Sequence, residues 1–366
     1  MASSPLAIVR HYWFPGLPED HCGPALGGGF SGSPVVAVRT PAGSGAVLKA
    51  FAPGTSLERA VWIHGFMDHL TASGITQVPR LLPALDQHSL AVDADGTLWE
   101  LATHMPGAAQ TRPTAGQVAA AMASLARLHE ASARWQREPP RCGPAPAIVR
   151  RIAAARELLA DPWDRASRPV GRLEAVPDPL RGWCAARREL LARATDRARL
   201  RRVLGAIASL EPAPALLQAV VRDLRADHVL FTAIKSDHAD AVSGIVDFHG
   251  AAIDTPATDI ARLLGDWATG ARGVAWGDCW DSALDAYGRV RPLRADQRAL
   301  VPWLAATAVV FGLDRWFRWI LDENRSFAAS GLVEARIDRL LQQLPQAFDL
   351  LEDLPLPRPN AGGESV

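Results

Sequence analysis

Short apolar segments recur along the first hundred residues, and the one at 45–51 alternates between apolar and polar positions. Such segments are typical of β-strands. They predict four strands, at 35–38, 45–51, 89–92 and 97–103. Met105-Pro106-Gly107 then ends this β-rich part of the chain, because proline and glycine interrupt regular structure.

One helix is predicted between the second and third of these strands. Its apolar positions follow the spacing of a helix face: Ile63, Phe66, Met67 and Leu70. The segment Thr55-Ser56-Leu57-Glu58 resembles a capping box and marks its start, and Gly74 marks its end.

Beyond residue 107 the pattern is almost wholly helical. One apolar stripe predicts a helix through Val118, Met122, Leu125 and Leu128. Further helices are predicted near 147–160 and 180–208, where they would form one wall of a substrate cleft. A hairpin interrupts this part: the apolar runs 229–231 and 245–246 flank the polar, turn-like segment 235–240.

These elements predict an α+β fold of two lobes with a protein-kinase-like arrangement. We expect a small antiparallel β lobe at 1–105 and a larger helical lobe at 106–354. A disordered tail is expected at 355–366, where proline, glycine and serine are frequent. With 48% hydrophobic residues, the 366-residue chain can form a substantial core.

Composition excludes several classes of protein. The chain has 39 basic and 39 acidic residues, so no net charge attracts it to nucleic acid or to an anionic membrane. Its longest apolar run, Leu304 to Leu313, is too short to span a bilayer. The four cysteines are far apart: Cys22, Cys142, Cys184 and Cys279. Such unpaired thiols suit a reducing cytoplasm, and we therefore expect a cytoplasmic protein.

Two aspartates carry the chemistry. Asp223 precedes the first hairpin strand and Asp247 follows the second, so the hairpin holds both at neighbouring strand ends. Phosphoryl transfer needs one carboxylate to orient and deprotonate a hydroxyl and another to hold Mg²⁺ on the phosphates. The pair therefore predicts a phosphotransferase site.

Two features of the β-rich part suit a nucleotide. The glycine-rich segment 27–33, with Gly29, Ser31 and Gly32, lets backbone N–H groups approach phosphates, although it also fits an ordinary hairpin. Only two of the 39 basic residues are lysines, and one of them, Lys49, ends a predicted strand. Lys49 is interpreted either as a phosphate-binding lysine or as a surface strand lysine.

The order of these features resembles the aminoglycoside phosphotransferase-like family, which includes choline and homoserine kinases and shares the protein-kinase fold. The resemblance spans roughly residues 20 to 345. Its most specific segments are Asp223 to Phe231, Gly244 to Phe248, and Asp254-Thr255-Pro256-Ala257-Thr258-Asp259-Ile260-Ala261-Arg262-Leu263-Leu264. The segment Leu125-Ala126-Arg127-Leu128-His129 also resembles a helix of the family.

The resemblance implies a role for each residue that matches these motifs. It implies Asp223 as catalytic base, with Arg222 restoring the Arg-Asp pair of protein kinases, and Asp247 as metal ligand. It also implies Lys49 as the phosphate-binding lysine.

The backbone of Thr103 and Met105 would be the adenine hinge, and Asp259 would brace the catalytic loop. The implied cofactors are ATP and Mg²⁺ or Mn²⁺.

Three positions depart from the family's pattern. Val221-Arg222 stands where the family has His-Gly, and His228 replaces an asparagine that binds a second metal. Imidazole suits Mn²⁺ better than Mg²⁺, so His228 is either a metal ligand or a hydrogen-bonding partner within the loop. No glutamate is evident as the partner of Lys49, and His64 or Asp68 stands near that position.

Two aromatic segments have open interpretations. The carboxylates of Asp278, Asp281 and Asp285 beside Trp276 and Trp280 fit either an amine-binding site or a solvated helix start. The segment 315–320 is aromatic-rich with flanking arginines and fits a buried helix face better than nucleic-acid stacking.

The favoured function is ATP-dependent phosphorylation of a hydroxyl on a small metabolite or an aminoglycoside-like compound. No nucleic acid or membrane partner is expected. The alternatives are a nucleotide-binding pseudokinase with a regulatory role, suggested by the three departures, and a helical interaction scaffold that binds no nucleotide.

Overall fold

The computed structural model describes residues 4–25, 33–160, 180–187, 196–210, 214–232, 241–267, 280–323 and 330–355. The strands are β1 (Cys22–Ala25), β2 (Val35–Arg39), β3 (Gly45–Ala50), β4 (Leu90–Val92), β5 (Leu98–Thr103), β6 (Ala108–Ala109), β7 (Arg141–Pro144), β8 (Pro214–Val220), β9 (Val229–Thr232), β10 (Ala241–Ile245) and β11 (Ala252–Asp254). The α-helices are α1 (Pro5–Tyr12), α2 (Leu57–Ala72), α3 (Ala115–Ser132), α4 (Pro146–Ala160), α5 (Leu180–Ala186), α6 (Arg197–Ala208), α7 (Ala257–Trp267), α8 (Trp280–Gly288), α9 (Ala295–Val310), α10 (Gly312–Phe317) and α11 (Ser330–Asp353).

The β-rich lobe is built on a five-stranded antiparallel sheet with the order β1-β2-β3-β5-β4. Lys49 of β3 lies opposite Glu100 of β5, so both side chains point to one face of the sheet. The next pair along, Leu48 and Leu101, points to the other face, and both side chains are fully buried there in a cluster with α1. The four strands predicted for this lobe are confirmed, whereas β1 and α1 were not foreseen.

Helix α2 covers the face that carries Lys49. Its apolar stripe, which includes Phe66 and Leu70, packs into the main core of the protein together with Met122 and Leu125 of α3. The predicted capping box is wrong by one residue. Ser56 caps the helix by accepting from the backbone N–H of Arg59, because the hydroxyl of Thr55 donates instead to the carbonyl of Ala52.

Two smaller antiparallel sheets lie next to the first, with the orders β10-β9-β6 and β11-β8-β7. The predicted hairpin is confirmed: β9 and β10 pair, with Val229 opposite Ile245. Strand β6 joins this hairpin through Ala108, which pairs with Phe231. The chain therefore passes from the first sheet to the second between Thr103 and Ala108. The division of the chain into lobes at residue 105 stays a prediction.

Helices form the rest of the described chain. α7 and α11 both pack on α9, which buries Val301, Leu304 and Ala305 in the core. After α10, residues Arg318–Asp322 form a π-helix. Among the described residues no single helix is long and apolar enough to cross a membrane, and only the bent pair 295–310 with 312–320 passes such a test, by length and composition.

The arginine-rich aromatic segment is a buried helix face, as expected. Trp316, Phe317 and Ile320 are buried, and Arg318 pairs with Glu157 of α4 at 2.8 Å. Residues 356–366 of the expected tail and the turn 235–240 lie outside the described residues.

The passage between the sheets has no room for a side chain at Gly107. This residue has φ +108°, and a Cβ there would overlap Ser243 Oγ and lie 2.6 Å from the Phe231 carbonyl oxygen. We therefore expect Gly107→Ala to lower the free energy of unfolding by more than about 2 kcal/mol. Gly96 is the matched control, since it has φ +79° but an added Cβ would meet no atom within 4 Å. Gly96→Ala should cost about 1 kcal/mol. Urea denaturation measures both, and equal losses would contradict this account.

Candidate active site

The hairpin brings the two predicted aspartates together. Beyond the β9–β10 pairing, the backbone N–H of Val246 donates to the carbonyl of His228 at 2.9 Å. Asp247 follows directly, while the loop that carries Asp223 ends at His228, where β9 begins. Asp223 and Asp247 therefore lie at the same end of the hairpin, as the sequence predicted.

A buried carboxylate braces the loop before Asp223. Asp259 of α7 accepts from the backbone N–H of Val221 at 2.8 Å and of Arg222 at 2.5 Å. Its Oδ2 also lies 3.1 Å from Nε2 of His129, on α3. Asp259 is fully buried, so these donors supply the hydrogen bonds that water would otherwise provide. This is the bracing role that the family resemblance implied.

Arg222 has a left-handed backbone, with φ +67°. A non-glycine residue in this region costs on the order of 1 kcal/mol or more, and glycine would adopt it freely. Arg222 therefore adopts a backbone turn that favours glycine, the residue that stands at this position in the family's pattern. The hydrogen bonds that the Val221 and Arg222 N–H groups donate to Asp259 hold the strained turn in place.

The carboxylate of Asp223 is half-exposed and paired. Its Oδ1 accepts from Nε of Arg262, on α7, at 3.0 Å, and 51% of its side chain remains accessible. Burial alone would raise the pKa of Asp223, but the charges of Arg262 and Arg225 oppose this and lower the pKa. Asp223 is therefore an open, ionised acceptor at neutral pH.

Lys49 and Asp247 form an ion pair. Nζ of Lys49 lies 2.6 Å from Oδ1 of Asp247, and 16% of the lysine side chain and 37% of the aspartate side chain are accessible. Burial would raise the pKa of Asp247, but Lys49 and then His228 hold it well below its usual range. Lys49 is therefore not a free surface lysine, and its described partner is Asp247 and not a residue of α2.

A carboxylate between two histidines was missed by sequence reasoning. Glu100 of β5 accepts from Nε2 of His64 on α2 at 2.8 Å and from Nε2 of His249 at 3.0 Å. His249 also stacks on Phe51, with ring centroids 4.0 Å apart. Burial raises the pKa of Glu100, but His249 and His64 outweigh it and hold the pKa well below its usual range.

This cluster explains why His64 does not face Lys49. Its ring is committed to Glu100 and, through Nδ1, to the hydroxyl of Ser89 at 2.7 Å. The available signals in the sequence were a single charge inside an apolar strand, at Glu100, and a histidine two residues after Asp247.

His228 is buried within the loop that carries Asp223. Arg225 can only donate to Nε2, which lies 3.2 Å away, so Nδ1 carries the ring hydrogen and donates to the carbonyl of Asp223 at 2.9 Å. Nε2 lies 3.6 Å from Oδ2 of Asp247. The structure therefore shows His228 as a hydrogen-bonding partner within the loop, and its role as a metal ligand, for which Nε2 would have to release Arg225, stays a prediction.

The nucleotide-binding residues predicted in the β-rich lobe divide into two groups. Gly29, Ser31 and Gly32 lie outside the described residues. Thr103 ends β5, and its backbone N–H donates to the Arg80 carbonyl at 2.8 Å. Met105 follows two residues later, before the passage to the second sheet.

The acidic segment near Trp280 has another partner. Asp281 and Asp285 both pair with Arg298, at 3.0 and 2.8 Å, on an exposed face of α8. This favours the solvated-helix interpretation over an amine site. Asp278 and Trp276 lie outside the described residues.

Comparison with known proteins finds homoserine kinases among the relatives of this chain. The chain is 27% identical to the homoserine kinase of Ralstonia nicotianae over 295 residues, 80% of this chain and 78% of that enzyme. It is 38% identical to the homoserine kinase of Paramagnetospirillum magneticum over 99 residues, where the match spans 30% of that enzyme.

Solved structures agree in fold. An amicoumacin kinase, determined with AMP-PNP and Ca²⁺, superposes with a TM-score of 0.60 at 13% identity, covering 96% of this chain and 93% of that one. A spectinomycin phosphotransferase superposes with a TM-score of 0.59 at 10% identity, covering 95% and 96%. These confirm the predicted two-lobed, kinase-like fold.

The phosphotransferase enzyme family has a sequence profile that matches residues 23–293, well over half of the chain. The protein therefore belongs to the phosphotransferase enzyme family and, as its sequence predicted, is a small-molecule kinase that acts on a hydroxyl group.

Proposed function

We propose that this kinase transfers the γ-phosphoryl group of ATP to the hydroxyl of a small hydroxy amino acid of the homoserine type. The observation that carries the proposal is the joint placement of the Lys49–Asp247 ion pair and the open carboxylate of Asp223 at one end of the hairpin. The homoserine kinases of several bacteria among the relatives support the acceptor class.

Asp223 acts on the acceptor in this proposal. Its carboxylate accepts a hydrogen bond from the hydroxyl and takes the proton as the new O–P bond forms and the bond to the β-phosphate oxygen breaks. Its lowered pKa makes Asp223 a weak base. A weak base suffices, because phosphoryl transfer passes through a loose transition state in which positioning matters most.

Lys49 and Asp247 act on the phosphates. The ammonium group of Lys49 is held within reach of the cleft by its pairing with Asp247 and is a compact charge suited to a phosphate. Asp247 offers ionised carboxylate oxygens, the donors that Mg²⁺ prefers, so the residues present fit a divalent cation. When bound, this ion would neutralise phosphate charge, with Asp247 as ligand and His228 as a second one.

The remaining proposed contacts concern the nucleotide. The carbonyl of Thr103 and the backbone N–H of Met105 would meet the adenine edge, and the backbone at Gly29, Ser31 and Gly32 would cover the phosphates. A cytoplasmic location, where ATP is available, belongs to the same proposal. No feature of the described residues favours a pseudokinase over this enzyme, since the base, the lysine and the metal aspartate are all present.

The direct test is turnover. The purified protein with ATP, Mg²⁺ and L-homoserine should release ADP and yield a phosphate monoester that ³¹P NMR detects. ATP binding without any product from homoserine or a wider panel of hydroxyl compounds would reject the proposed function.

Substitution of the two aspartates should have different effects on ATP binding and on turnover. We expect Asp247→Ala to abolish metal-dependent ATP binding, whereas Asp223→Ala should retain binding and lose turnover by about 100-fold or more. Calorimetry on folded protein measures the first property and an ADP-release assay the second. Equal loss of ATP binding in both variants would contradict the separate roles.

Substitution of Lys49 tests the phosphate contact. Lys49→Ala should weaken binding of ATP by about tenfold or more and leave AMP binding nearly unchanged, because the charge is aimed at the outer phosphates. Lys49→Arg should also impair turnover, since a planar guanidinium cannot reproduce the compact ammonium group. Arg39→Lys, at an exposed ion pair on the neighbouring strand, serves as the control. Wild-type behaviour of Lys49→Arg would show an ordinary strand lysine.

His228 should set the metal preference. A nitrogen ligand tolerates Mn²⁺ better than Mg²⁺, so Mn²⁺ should support higher activity in the native enzyme. His228→Asn should restore an oxygen ligand and shift the preference toward Mg²⁺. Metal-titration curves of the two proteins decide the matter: superimposable curves would mean that His228 only holds the loop through Asp223 and Arg225.

A further inference from the structure

Arginine side chains from separate elements gather around Asp223. Arg262 of α7 donates to its carboxylate at 3.0 Å, and Arg222 precedes it in the loop. Arg150 of α4 pairs at 2.5 Å with Asp254, on the strand β11 that pairs with β8 just before the loop. Arg315 of α10 completes the group, which we call the arginine cluster: Arg150, Arg222, Arg262 and Arg315.

α10 is joined to α4 beside this cluster. Arg318, one turn beyond Arg315, pairs with Glu157, two turns beyond Arg150 on α4. The two helices therefore present Arg150 and Arg315 to the same region. Arg262, Asp223 and Arg150 all act electrostatically on Arg315, so Arg315 lies near them.

The arginine cluster has more positive than negative charge. Asp223 is paired with Arg262 and Asp254 with Arg150. Within the described ranges, neither the guanidinium of Arg222 nor that of Arg315 makes a hydrogen bond or an ion pair. Like charges held together in a partly desolvated site repel each other, and a bound anion would relieve that repulsion.

The cluster is open and lies on the acceptor side. Arg315 is exposed and 45% of the Arg150 side chain is accessible, so a ligand can reach them. The positive charge next to Asp247 is instead that of Lys49. In the proposed function the phosphate end of ATP thus has its own cation, and the arginines lie near the carboxylate that meets the acceptor.

We propose that the acceptor carries an anionic group, a carboxylate or a phosphate, which Arg222 and Arg315 bind while its hydroxyl lies at Asp223. Guanidinium groups bind both kinds of anion through paired, charge-assisted hydrogen bonds. A polycationic aminoglycoside would meet repulsion at the same place. This inference rests on the proposed function, because it concerns the acceptor of that reaction.

A matched set of short alcohols separates the chemical groups. L-Homoserine carries a carboxylate and an amine, 4-hydroxybutanoate only the carboxylate, and 3-aminopropan-1-ol only the amine, while 3-hydroxypropyl phosphate supplies the phosphate arm. We expect kcat/KM for the better of 4-hydroxybutanoate and 3-hydroxypropyl phosphate, the two alcohols whose only charged group is an anion, to exceed that for 3-aminopropan-1-ol by about tenfold or more. The comparison of 4-hydroxybutanoate with 3-hydroxypropyl phosphate identifies which anion the site takes.

Arg315→Gln tests the residue itself, and it should fold because the exposed side chain has no described partner to lose. It should raise KM for the preferred anionic acceptor by about tenfold, with KM for ATP nearly unchanged, and Arg315→Lys should recover part of the loss. Arg298→Gln, an arginine on α9 paired with exposed aspartates, should behave as wild type.

Preference for 3-aminopropan-1-ol, or an unchanged acceptor KM in Arg315→Gln, would overturn the proposal. A rise only in KM for ATP would do the same and assign Arg315 to the nucleotide.

The anion site can still be tested if no alcohol is phosphorylated. Butanoate or propyl phosphate, which lack the hydroxyl, should then still raise the melting temperature of the wild type and not of Arg315→Gln, whereas propylammonium should not. No stabilisation by either anion would reject the anion site independently of the reaction.

Discussion

The loop that carries Asp223 depends on one buried carboxylate, that of Asp259. It accepts the backbone N–H groups of Val221 and Arg222 and lies against His129, which in turn lies 2.9 Å from the hydroxyl of Tyr287. A fully buried carboxylate is stable only when it is hydrogen-bonded throughout, so the loop, α3 and α7 stabilise one another. The left-handed turn at Arg222, directly before Asp223, persists for this reason.

A second buried acid links the two lobes. Glu100 sits in the sheet opposite Lys49 but is bound by His64 from α2 and His249 from the segment after Asp247. The position on α2 that faces the sheet thus belongs to a histidine and not to a partner of the lysine. Lys49 pairs with Asp247 instead. Glu100 and the two histidines anchor the segment that carries Asp247 to the sheet, and this keeps the ion pair together.

The distribution of cations fits the proposed reaction. The lysine lies beside Asp247, where a compact charge would suit phosphate, and Arg262 pairs with Asp223, near which the arginine cluster would bind an anion on the acceptor. A chain that uses arginine for nearly all of its basic residues retains lysine at this one described site. In the proposed function, this difference in the kind of cation separates the phosphate end of ATP from the acceptor.

Sequence by itself determined the local elements and the chemical groups. Strand alternation predicted β3, helical spacing predicted α2 and α3, and the two apolar runs predicted the hairpin that brings Asp223 near Asp247. These signals are local, because they follow from the period of a strand or helix and from turn residues. Even so, the cap of α2 shifted by one residue, since Thr55 had a competing hydrogen bond. Only the tertiary structure decided which polar groups meet: Lys49 with Asp247 across 198 positions, Glu100 with two histidines, and Asp223 with Arg262. No local period encodes such partners, because packing of distant segments and the cost of burying an unpaired charge select them.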